Sequence, residues 1–290
     1  MVIGKLVIVG VGLIGGSLAL ALRQAGAVRE VVGLGRSREN LDAALSLGIV
    51  DRVETDLAAA VKDADVVLLA IPVAAMQPTL AALAPHLAPQ TIVSDVGSTK
   101  RDVLGYAHQH ISGHLARFVA AHPIAGAEKS GATAARADLF QGRNVVVTPM
   151  PDNDPGAVRT ITRMWELCGA KVSSMTPRRH DEIFAAISHL PHLLSFALVD
   201  EIAARPDARE LFGYAAGGFR DFTRIAGSHP EMWRDICLAN RDALLQELDA
   251  YQGELERLRV MLEQDDGAAL EQAFGHARAA RAKWLTGNSQ

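Results

Sequence analysis

The start of the chain constrains the fold more than any other stretch. Residues 6–9 form an apolar, β-branched run that leads directly into Gly10-Val-Gly12-Leu-Ile-Gly15, and Ser17 follows. Between a strand and a helix, the first glycine of such a spacing permits a tight turn. The second permits close approach of a phosphate group, and the third permits close packing of helix on strand. The stretch therefore predicts a strand, a phosphate-binding turn and a helix at the start of a parallel sheet.

The same alternation continues through the first half of the chain. Alanine- and leucine-rich segments such as 17–25 and 39–47 separate further β-branched runs, which lie at 30–34, 66–71, 91–94, 118–121 and 144–148. Continuous apolar strands that alternate with helices predict a parallel sheet covered on both faces. With a helix over 155–168 and a strand over 171–174, the pattern predicts a Rossmann-type α/β dinucleotide-binding domain over residues 1–176.

Beyond residue 176 the strand pattern stops and helical periodicity takes over. The helical segments are 181–204, 230–249, 253–264 and 268–284. We therefore expect an all-α helical domain over residues 177–290. One of its apolar stripes comprises Leu244, Leu248, Tyr251, Leu255, Leu258 and Leu262. This stripe is typical of an internal core, and subunit interfaces use the same pattern.

Composition excludes several classes of protein. Hydrophobic residues make up 49% of the chain and charged residues 21%, which is typical of a folded protein and not of a disordered one. The net charge of -4 is spread without a block of like charge, so we expect no nucleic-acid or membrane partner. Lys5 and several glycines interrupt the apolar N-terminus, which argues against a membrane span. The two cysteines have no metal-ligand spacing and indicate reduced thiols in the cytoplasm.

The glycine turn predicts a dinucleotide cofactor because it lies at the start of a strand–helix unit with a second strand about twenty residues on. The helix that follows presents its N-terminus to the phosphates. The alternative is a glycine-rich turn that binds nothing. The candidate cofactor-binding residues are Gly10, Gly12, Leu13, Ile14, Gly15, Arg36, Ser37, Ala70 and Pro72.

The end of the second strand favours NADP over NAD. An NAD site usually places Asp or Glu there to hold the ribose hydroxyls, whereas this chain has Gly35. A glycine cannot repel a 2'-phosphate, and Arg36, Ser37 and Arg38 can bind one through charge-assisted hydrogen bonds. The alternative is that Ser37 caps the next helix and the arginines are solvated, which leaves NAD possible.

A histidine and a serine follow two of the predicted strands. His122, in "HPIAGAE", comes at the end of the 118–121 run, and Ser98, in "SDVGSTK", comes after the 91–94 run. Both are expected at the sheet edge that carries the glycine turn. An imidazole is suited to accept a proton near neutral pH, so His122 is a candidate catalytic base. The alternatives are a satisfied core histidine and, for Ser98, the N-cap of a helix that begins near Thr99.

The second half of the chain adds histidines and arginines. His189 and His192 are three apart on one helix face, but no HExxH motif or nearby cysteine accompanies them, so we expect no metal. Arg220 and Arg224 share a face in a segment whose phenylalanines indicate half burial. A buried arginine needs an anion, although surface salt bridges are the alternative. Together with a dinucleotide site, these residues describe a dehydrogenase for an anionic substrate.

Six motifs carry a resemblance to a known family. They are "GVGLIGGS", "DVGSTK", "HPIAGAEKSG", "HDEIFAAISHLPH", "GGFRDFTRIA" and "MWRDI". In this order they resemble the prephenate and arogenate dehydrogenases of tyrosine biosynthesis, over most of the chain to about residue 240. The resemblance implies an NAD(P)-dependent homodimer in the cytoplasm. It also implies oxidative decarboxylation of prephenate to 4-hydroxyphenylpyruvate, with hydride transfer to the nicotinamide.

The resemblance also implies roles for particular residues. His122 accepts the proton of the substrate 4-hydroxyl, with Ser98 beside it. The implied substrate-binding residues are His192, Arg224, His189, Arg220, Glu128 and Trp233, of which Arg224 grips a carboxylate and Glu128 lies at the mouth of the site. Many relatives have Ser or Thr where this chain has Ala127. This difference leaves open whether the substrate is prephenate, arogenate or both.

Two other interpretations use the same architecture. β-Hydroxyacid dehydrogenases place a catalytic lysine on the helical domain, but the only lysine after residue 176 is Lys283, close to the C-terminus. A redox sensor that binds NADPH and signals through a helical dimer would not need His122, Ser98 and Arg224 together. Both interpretations are therefore less favoured than a dehydrogenase of tyrosine biosynthesis.

Overall fold

The computed structural model describes residues 2–126 and 129–287. Its first half contains a six-stranded sheet with all pairs parallel, in the order β3-β2-β1-β4-β5-β6. The strands are β1 (Ile3–Val9), β2 (Val28–Leu34), β3 (Arg52–Glu54), β4 (Val66–Leu69), β5 (Ile92–Asp95) and β6 (Phe118–Val119). The strand order reverses between β1 and β4, and ligands of such sheets bind in the crevice at that point.

Helices cover both faces of this sheet. They are α1 (Leu13–Gln24), α2 (Arg38–Ser46), α3 (Leu57–Val61), α4 (Met76–Leu83), α5 (Arg101–His110) and α6 (Pro155–Leu167). Successive side chains of β1 point to opposite faces. Leu6 and Ile8 therefore join one buried cluster, while Val7 and Val9 join the other. This arrangement confirms the predicted α/β fold with a parallel sheet.

A second sheet of three strands was not predicted. It contains β7 (Ala121–Pro123), β8 (Asn144–Val147) and β9 (Lys171–Ser174), with β7 antiparallel to β8 and β8 parallel to β9. The prediction of one strand over 118–121 was wrong, because the chain leaves the first sheet after Val119. His122 therefore lies inside β7, opposite Val146, and not at the end of a strand of the first sheet.

Side chains explain why the chain changes sheets at Ala121. The Oδ1 atom of Asp95 accepts the Ala121 N–H at 3.2 Å, and Lys100 Nζ donates to the Ala121 carbonyl at 2.8 Å. Lys100 also forms an ion pair with Asp95, and neither side chain is exposed to solvent. Because these side chains satisfy both backbone groups of Ala121, the β5–β6 ladder has no continuation there. The ion pair thus joins the end of β5 to the strand that carries His122.

The rest of the chain is helical, as predicted. The helices are α7 (Pro177–Phe184), α8 (Leu190–Ala203), α9 (Ala208–Gly213), α10 (Gly217–Thr223), α11 (Pro230–Ala239), α12 (Arg241–Glu263) and α13 (Gly267–Gly287). A π-helical segment, Ala185–His189, separates α7 from α8. Pro191 follows it and has no N–H for the helical ladder, which explains a local change of hydrogen-bond register. The chain divides into two compact units, Met1–Arg241 and Asp242–Gln290.

The leucine stripe of α12 is only partly covered in the single chain. Leu244 is buried, three members of the stripe are half-buried, and Leu255 and Leu262 are 48% and 67% exposed. The burial of these side chains supports the internal-core interpretation fully only at Leu244. The subunit-interface interpretation stays a prediction.

Within the described part of the chain, one helical run, Pro177–Ala203, is long and apolar enough to cross a bilayer by length and composition alone. The run carries Asp181, whose carboxylate accepts the backbone N–H groups of Lys100 and Arg101 at 2.9 Å each. It also carries the buried His189, which is hydrogen-bonded to Asn240. These contacts indicate a helix packed within a folded unit.

The buried ion pair generates a stability prediction. We expect Lys100→Met to lower the free energy of unfolding by about 3–5 kcal/mol, because it leaves the Asp95 carboxylate uncompensated away from water. Urea denaturation of the purified variants measures this change. The control is Arg259→Met, which breaks the exposed pair with Glu263 and should leave stability nearly unchanged. Equal effects of the two substitutions would contradict the prediction.

Candidate active site

The glycine turn after β1 has the geometry that its spacing predicts. Gly10 has a φ of +95°, and a Cβ there would lie 2.3 Å from the Ala70 carbonyl oxygen. A Cβ on Gly15 would lie 2.6 Å from the Gly10 carbonyl oxygen. In contrast, nothing lies within 4 Å of a Cβ on Gly12. Two glycines are therefore required by the tight turn, and the third leaves open space above the backbone.

The N-terminus of α1 opens into this space. The helix begins at Leu13, and its N-cap Gly12 offers no side-chain hydrogen bond to the first turn. The first N–H groups of a helix need an acceptor, and a phosphate group meets that need. Ala70 follows β4 and donates its N–H to Val9 at 2.8 Å, so it closes the turn from the neighbouring strand. These residues fit the pyrophosphate of a dinucleotide, and the exposed Pro72 lies two positions further on.

The segment after β2 contains both a helix cap and an available cation. Ser37 Oγ accepts the Asn40 N–H at 3.2 Å, so the capping role weighed for Ser37 is confirmed. Arg38 pairs with Asp42 at 2.9 Å. Arg36 is exposed and forms no ion pair with any of residues 2–126 or 129–287. Arg36 can therefore bind an external anion.

His122 lies in a relay of hydrogen bonds that starts at a carboxylate. Its Nδ1 lies 2.9 Å from Nε2 of His180, and Nδ1 of His180 lies 2.8 Å from Oδ1 of Asp181. Phe184 packs against both imidazoles, with its ring centroid 4.9 Å from His122 and 4.5 Å from His180. The His122 ring is thus fixed on one edge, and within residues 2–126 and 129–287 its Nε2 has no hydrogen-bond partner.

Burial keeps these imidazoles neutral. Desolvation lowers the pKa of His122 well below its ordinary value, and the nearby His180 and Lys100 lower it further. Desolvation also lowers the pKa of His180, although its hydrogen bond to Asp181 opposes the shift. A neutral His122 carries a lone pair and can accept a proton at neutral pH.

The structure does not bring Ser98 into this relay. Ser98 is half-buried, and the Nδ1 of His122 is hydrogen-bonded to His180 and not to Ser98. Its alternative role as N-cap was wrong, because α5 begins at Arg101 and its N-cap is Lys100. The Asp181 carboxylate supplies the cap by accepting the N–H groups of both residues.

His192 and Trp233 form a second group of candidate residues. Their rings stack with centroids 3.5 Å apart and an interplanar angle of 17°. His192 donates its Nδ1–H to the Ser188 carbonyl at 2.9 Å, which leaves Nε2 as an acceptor. Desolvation lowers the pKa of His192, and the positive charge of Arg224 lowers it further. The stacked rings form an apolar surface that carries one polar acceptor, the Nε2 of His192.

His189 has a different environment from His192. It is fully buried, and its Nδ1 lies 3.0 Å from the Asn240 amide nitrogen, which also donates to the Asp181 carbonyl at 2.8 Å. Burial lowers the pKa of His189 to about 4. These contacts indicate support for the helix that carries Asp181 and do not favour direct contact with a ligand.

The expectation that Arg220 and Arg224 are half-buried was wrong. Both are exposed, and Phe222 between them is 52% exposed. In the described ranges neither arginine forms a salt bridge, so the surface-pair alternative does not hold either. Phe219 on the same helix is half-buried, so the predicted half burial holds for that side chain but not for Phe222 or for the two arginines.

Two predicted features remain outside this description. Glu128 and Ala127 lie outside the described residues. In the part of the chain that the structure describes, no group of three His, Cys, Asp or Glu side chains is placed to hold a metal ion.

Sequence reasoning missed His180, Asp181 and Asn240. The adjacent His-Asp pair follows the helix start at Thr176, whose Oγ1 accepts the Arg179 N–H. An adjacent His-Asp pair directly ahead of the apolar run that begins at Ile183 was a usable signal. Their partners, however, lie 58 to 81 positions away in the sequence, so no local pattern could identify the contacts.

Comparisons with known proteins identify the family of the chain. The family model for the nucleotide-binding domain of prephenate dehydrogenase matches residues 18–174, and the model for its dimerization domain matches residues 176–276. The chain belongs to the prephenate dehydrogenase family. This family comprises nicotinamide-dinucleotide-dependent oxidoreductases, which excludes the β-hydroxyacid dehydrogenase and redox-sensor interpretations.

Individual members show how far the likeness extends. The chain is 37% identical to the prephenate dehydrogenase of Bacillus subtilis (strain 168), over 94% of this chain and 74% of that protein. It is 36% identical to the cyclohexadienyl dehydrogenase of Zymomonas mobilis, over 94% of each. The crystal structure of A. aeolicus prephenate dehydrogenase with hydroxyphenyl propionate and NAD+ has a TM-score of 0.91 and 33% identity. It covers 98% of this chain and 99% of that one.

Proposed function

We propose that this member of the prephenate dehydrogenase family catalyses the NADP-linked oxidative decarboxylation of prephenate to 4-hydroxyphenylpyruvate in tyrosine biosynthesis. The observation that carries the proposal is the neutral, hydrogen-bonded His122, whose Nε2 has no hydrogen-bond partner among the described residues. The family resemblance of the motifs and the open glycine turn support it. The proposal includes a dinucleotide-binding domain over residues 1–176 and a substrate-binding and dimerisation domain over 177–290, in a cytoplasmic enzyme.

The glycine turn holds the dinucleotide in this proposal. Leu13, Ile14 and Gly15 present the N–H groups of the first turn of α1 to the pyrophosphate, while Ala70 and Pro72 flank it from β4. The bound dinucleotide supplies a hydride acceptor for C4 of the substrate.

His122 acts as the base, and Ser98 contributes to the same site. His122 Nε2 accepts the proton of the substrate 4-hydroxyl while C4 loses a hydride. The resulting ring ketone then loses its C1 carboxylate as carbon dioxide, and the bonding electrons aromatise the ring. His122 returns its proton to the phenolate oxygen. The proton that His122 accepts is the one that it returns, so the imidazole is neutral again at the end of the cycle.

The helical residues hold the substrate. Arg224 binds a carboxylate through its guanidinium, which matches a carboxylate in shape and charge. His192 presents Nε2 to the substrate, and Trp233 forms the wall behind it. Arg220 and Glu128 act at the edge of the site, and His189 supports it from within. Arogenate, which has an amine where prephenate has a ketone, is the alternative substrate, and the cyclohexadienyl dehydrogenase among the relatives supports keeping it.

Turnover tests the proposed reaction. We expect the purified protein to reduce NADP with prephenate, and the four combinations of prephenate or arogenate with NADP or NAD separate the alternatives. We expect His122→Asn to lower kcat by about 10²- to 10⁴-fold with little change in KM, because it removes the general base. The control is His108→Asn on the exposed face of α5. Near-normal turnover of His122→Asn would show that another group is the base.

The cofactor preference has its own test. We expect Arg36→Ala to raise the KM for NADP about tenfold or more, through loss of a charge-assisted bond to the 2'-phosphate, with the KM for NAD nearly unchanged. The converse variant is Gly35→Asp. A Cβ there makes only ordinary contact with Leu41 at 3.5 Å, and the carboxylate should favour NAD. Arg38→Ala is the control because Arg38 already pairs with Asp42. Unchanged affinities in both test variants would contradict the NADP preference.

We also propose a homodimer formed through the helical residues. The exposed apolar side chains of α10 and α12 support it, because contiguous apolar faces typically mark interfaces. Light scattering at micromolar concentration should give twice the chain mass of 30.9 kDa. Leu262→Lys should weaken the dimer, whereas Leu47→Lys, at an exposed site after α2, should not. A wild-type monomer would contradict this proposal.

A further inference from the structure

His180 links the proposed base to a fixed carboxylate. Its side chain is completely buried, with one ring nitrogen at Asp181 and the other at His122. It therefore has no nitrogen left for solvent or substrate. His180 takes no direct part in the proposed proton and hydride transfers.

The hydrogen-bond partners determine which nitrogen carries each proton. An ionised carboxylate only accepts, so His180 donates Nδ1–H to Asp181. Neutral His180 then has its lone pair on Nε2 and must accept from His122. His122 therefore carries its proton on Nδ1, and its lone pair lies on Nε2. This is the tautomer that can take a proton from a hydroxyl group.

The carboxylate at the start of the relay cannot rotate away. Oδ1 of Asp181 accepts the Lys100 N–H, and Oδ2 accepts the Arg101 N–H, both at 2.9 Å. The Asp181 backbone carbonyl is held by Asn240 as well. The first turn of α5 and the end of α11 thus fix the acceptor that orients His180.

We propose that His180 is a positioning residue that sets the tautomer of His122 through a carboxylate–imidazole–imidazole relay. The proposal rests on the proposed role of His122 as the base. A carboxylate that fixes a neighbouring imidazole tautomer has a large effect in serine proteases, where its loss lowers kcat about 10⁴-fold. Here an additional imidazole lies between the carboxylate and the base.

The charges around the relay favour neutral imidazoles. Lys100 faces both rings, and His189 faces them from the π-helical segment. Asp181 and Asp95 are the acidic groups that act on His180. Asp95 is paired with Lys100, and Asp181 is bound by two backbone N–H groups. An additional proton on His180 would remove the lone pair that His122 needs, so the relay functions only in its neutral form.

Two amide substitutions of His180 distinguish control of the His122 tautomer from a role in packing alone. The amide of His180→Gln reaches the position of imidazole Nε2, so it can donate to Asp181 and still offer an oxygen to His122. The shorter amide of His180→Asn reaches only the Nδ1 position and leaves His122 without an acceptor. We expect kcat within about fivefold of wild type for Gln and about 100-fold lower for Asn, with KM for prephenate unchanged in both.

The pH profile of kcat/KM gives a readout that packing alone would not move. Loss of the acceptor at His180 destabilises the protonated form of His122 more than its neutral form, because a charged donor forms the stronger hydrogen bond. The pKa of His122 therefore falls. In the pH profile of kcat/KM, the acid limb of the His180→Asn variant should shift to lower pH, whereas that of the His180→Gln variant should not move. The control is His114→Asn, which removes a half-buried imidazole bonded to the Thr91 carbonyl.

The outcomes distinguish the relay from the underlying function. Absence of wild-type turnover, or normal turnover of His122→Asn, would overturn the proposed function or base. If both hold but the Gln and Asn variants of His180 lose activity equally with an unshifted acid limb, the relay is wrong. Dinucleotide binding and thermal unfolding of each variant, measured in the same preparations, show whether the fold is intact. If the Asn variant does not fold, His180→Leu replaces it, because a leucine side chain offers His122 no acceptor. If the Gln variant does not fold, the acid limb of the Asn or Leu variant alone decides, and an unshifted limb shows that the relay is wrong.

Discussion

The buried ion pair between Lys100 and Asp95 is the interaction on which the position of His122 depends. Removing two charges from water is costly, and such a pair is tolerated only when further hydrogen bonds satisfy its remaining donors and acceptors. Here the Ala121 backbone and the Gly97 N–H supply those bonds. The two charged side chains therefore hold the backbone of Ala121, where the chain leaves the first sheet and enters the second. Because His122 is the next residue, the orientation of its side chain follows from these contacts.

A second carboxylate connects the helical segment to the same loop. Asp181 caps α5 from outside that helix, and it holds His180 at the same time. The loop between β5 and α5 thus receives one carboxylate from the sheet and one from α7. Displacement of α7 would both uncap α5 and release the imidazole that holds His122. Stability of the fold and orientation of the proposed base are therefore coupled through one side chain.

The sequence predicted those structural features that are determined within a single strand, helix or turn. The glycine turn after β1, the covered parallel sheet and the helices after residue 176 follow from steric and periodic rules that act within one element. The short β3 has no such pattern and was missed. The strand change at Ala121 and the contact of His180 with His122 depend on partners 21 to 58 positions away. The exposure of Phe222 was misjudged because an apolar pattern predicts burial without saying whether the same chain provides the covering surface.

The electrostatics of the site explain why a weak base suits this reaction. The carboxylate charge of Asp181 is shared with two backbone N–H groups, so it orients His180 without making the relay strongly basic. Desolvation and Lys100 then lower the pKa of His122. A low pKa keeps His122 unprotonated and ready at neutral pH. In the proposed reaction the substrate hydroxyl becomes acidic as C4 loses its hydride, so a neutral His122 can take the proton as the hydride leaves. The proposal therefore links the buried environment that lowers the pKa of His122 to the joint loss of proton and hydride.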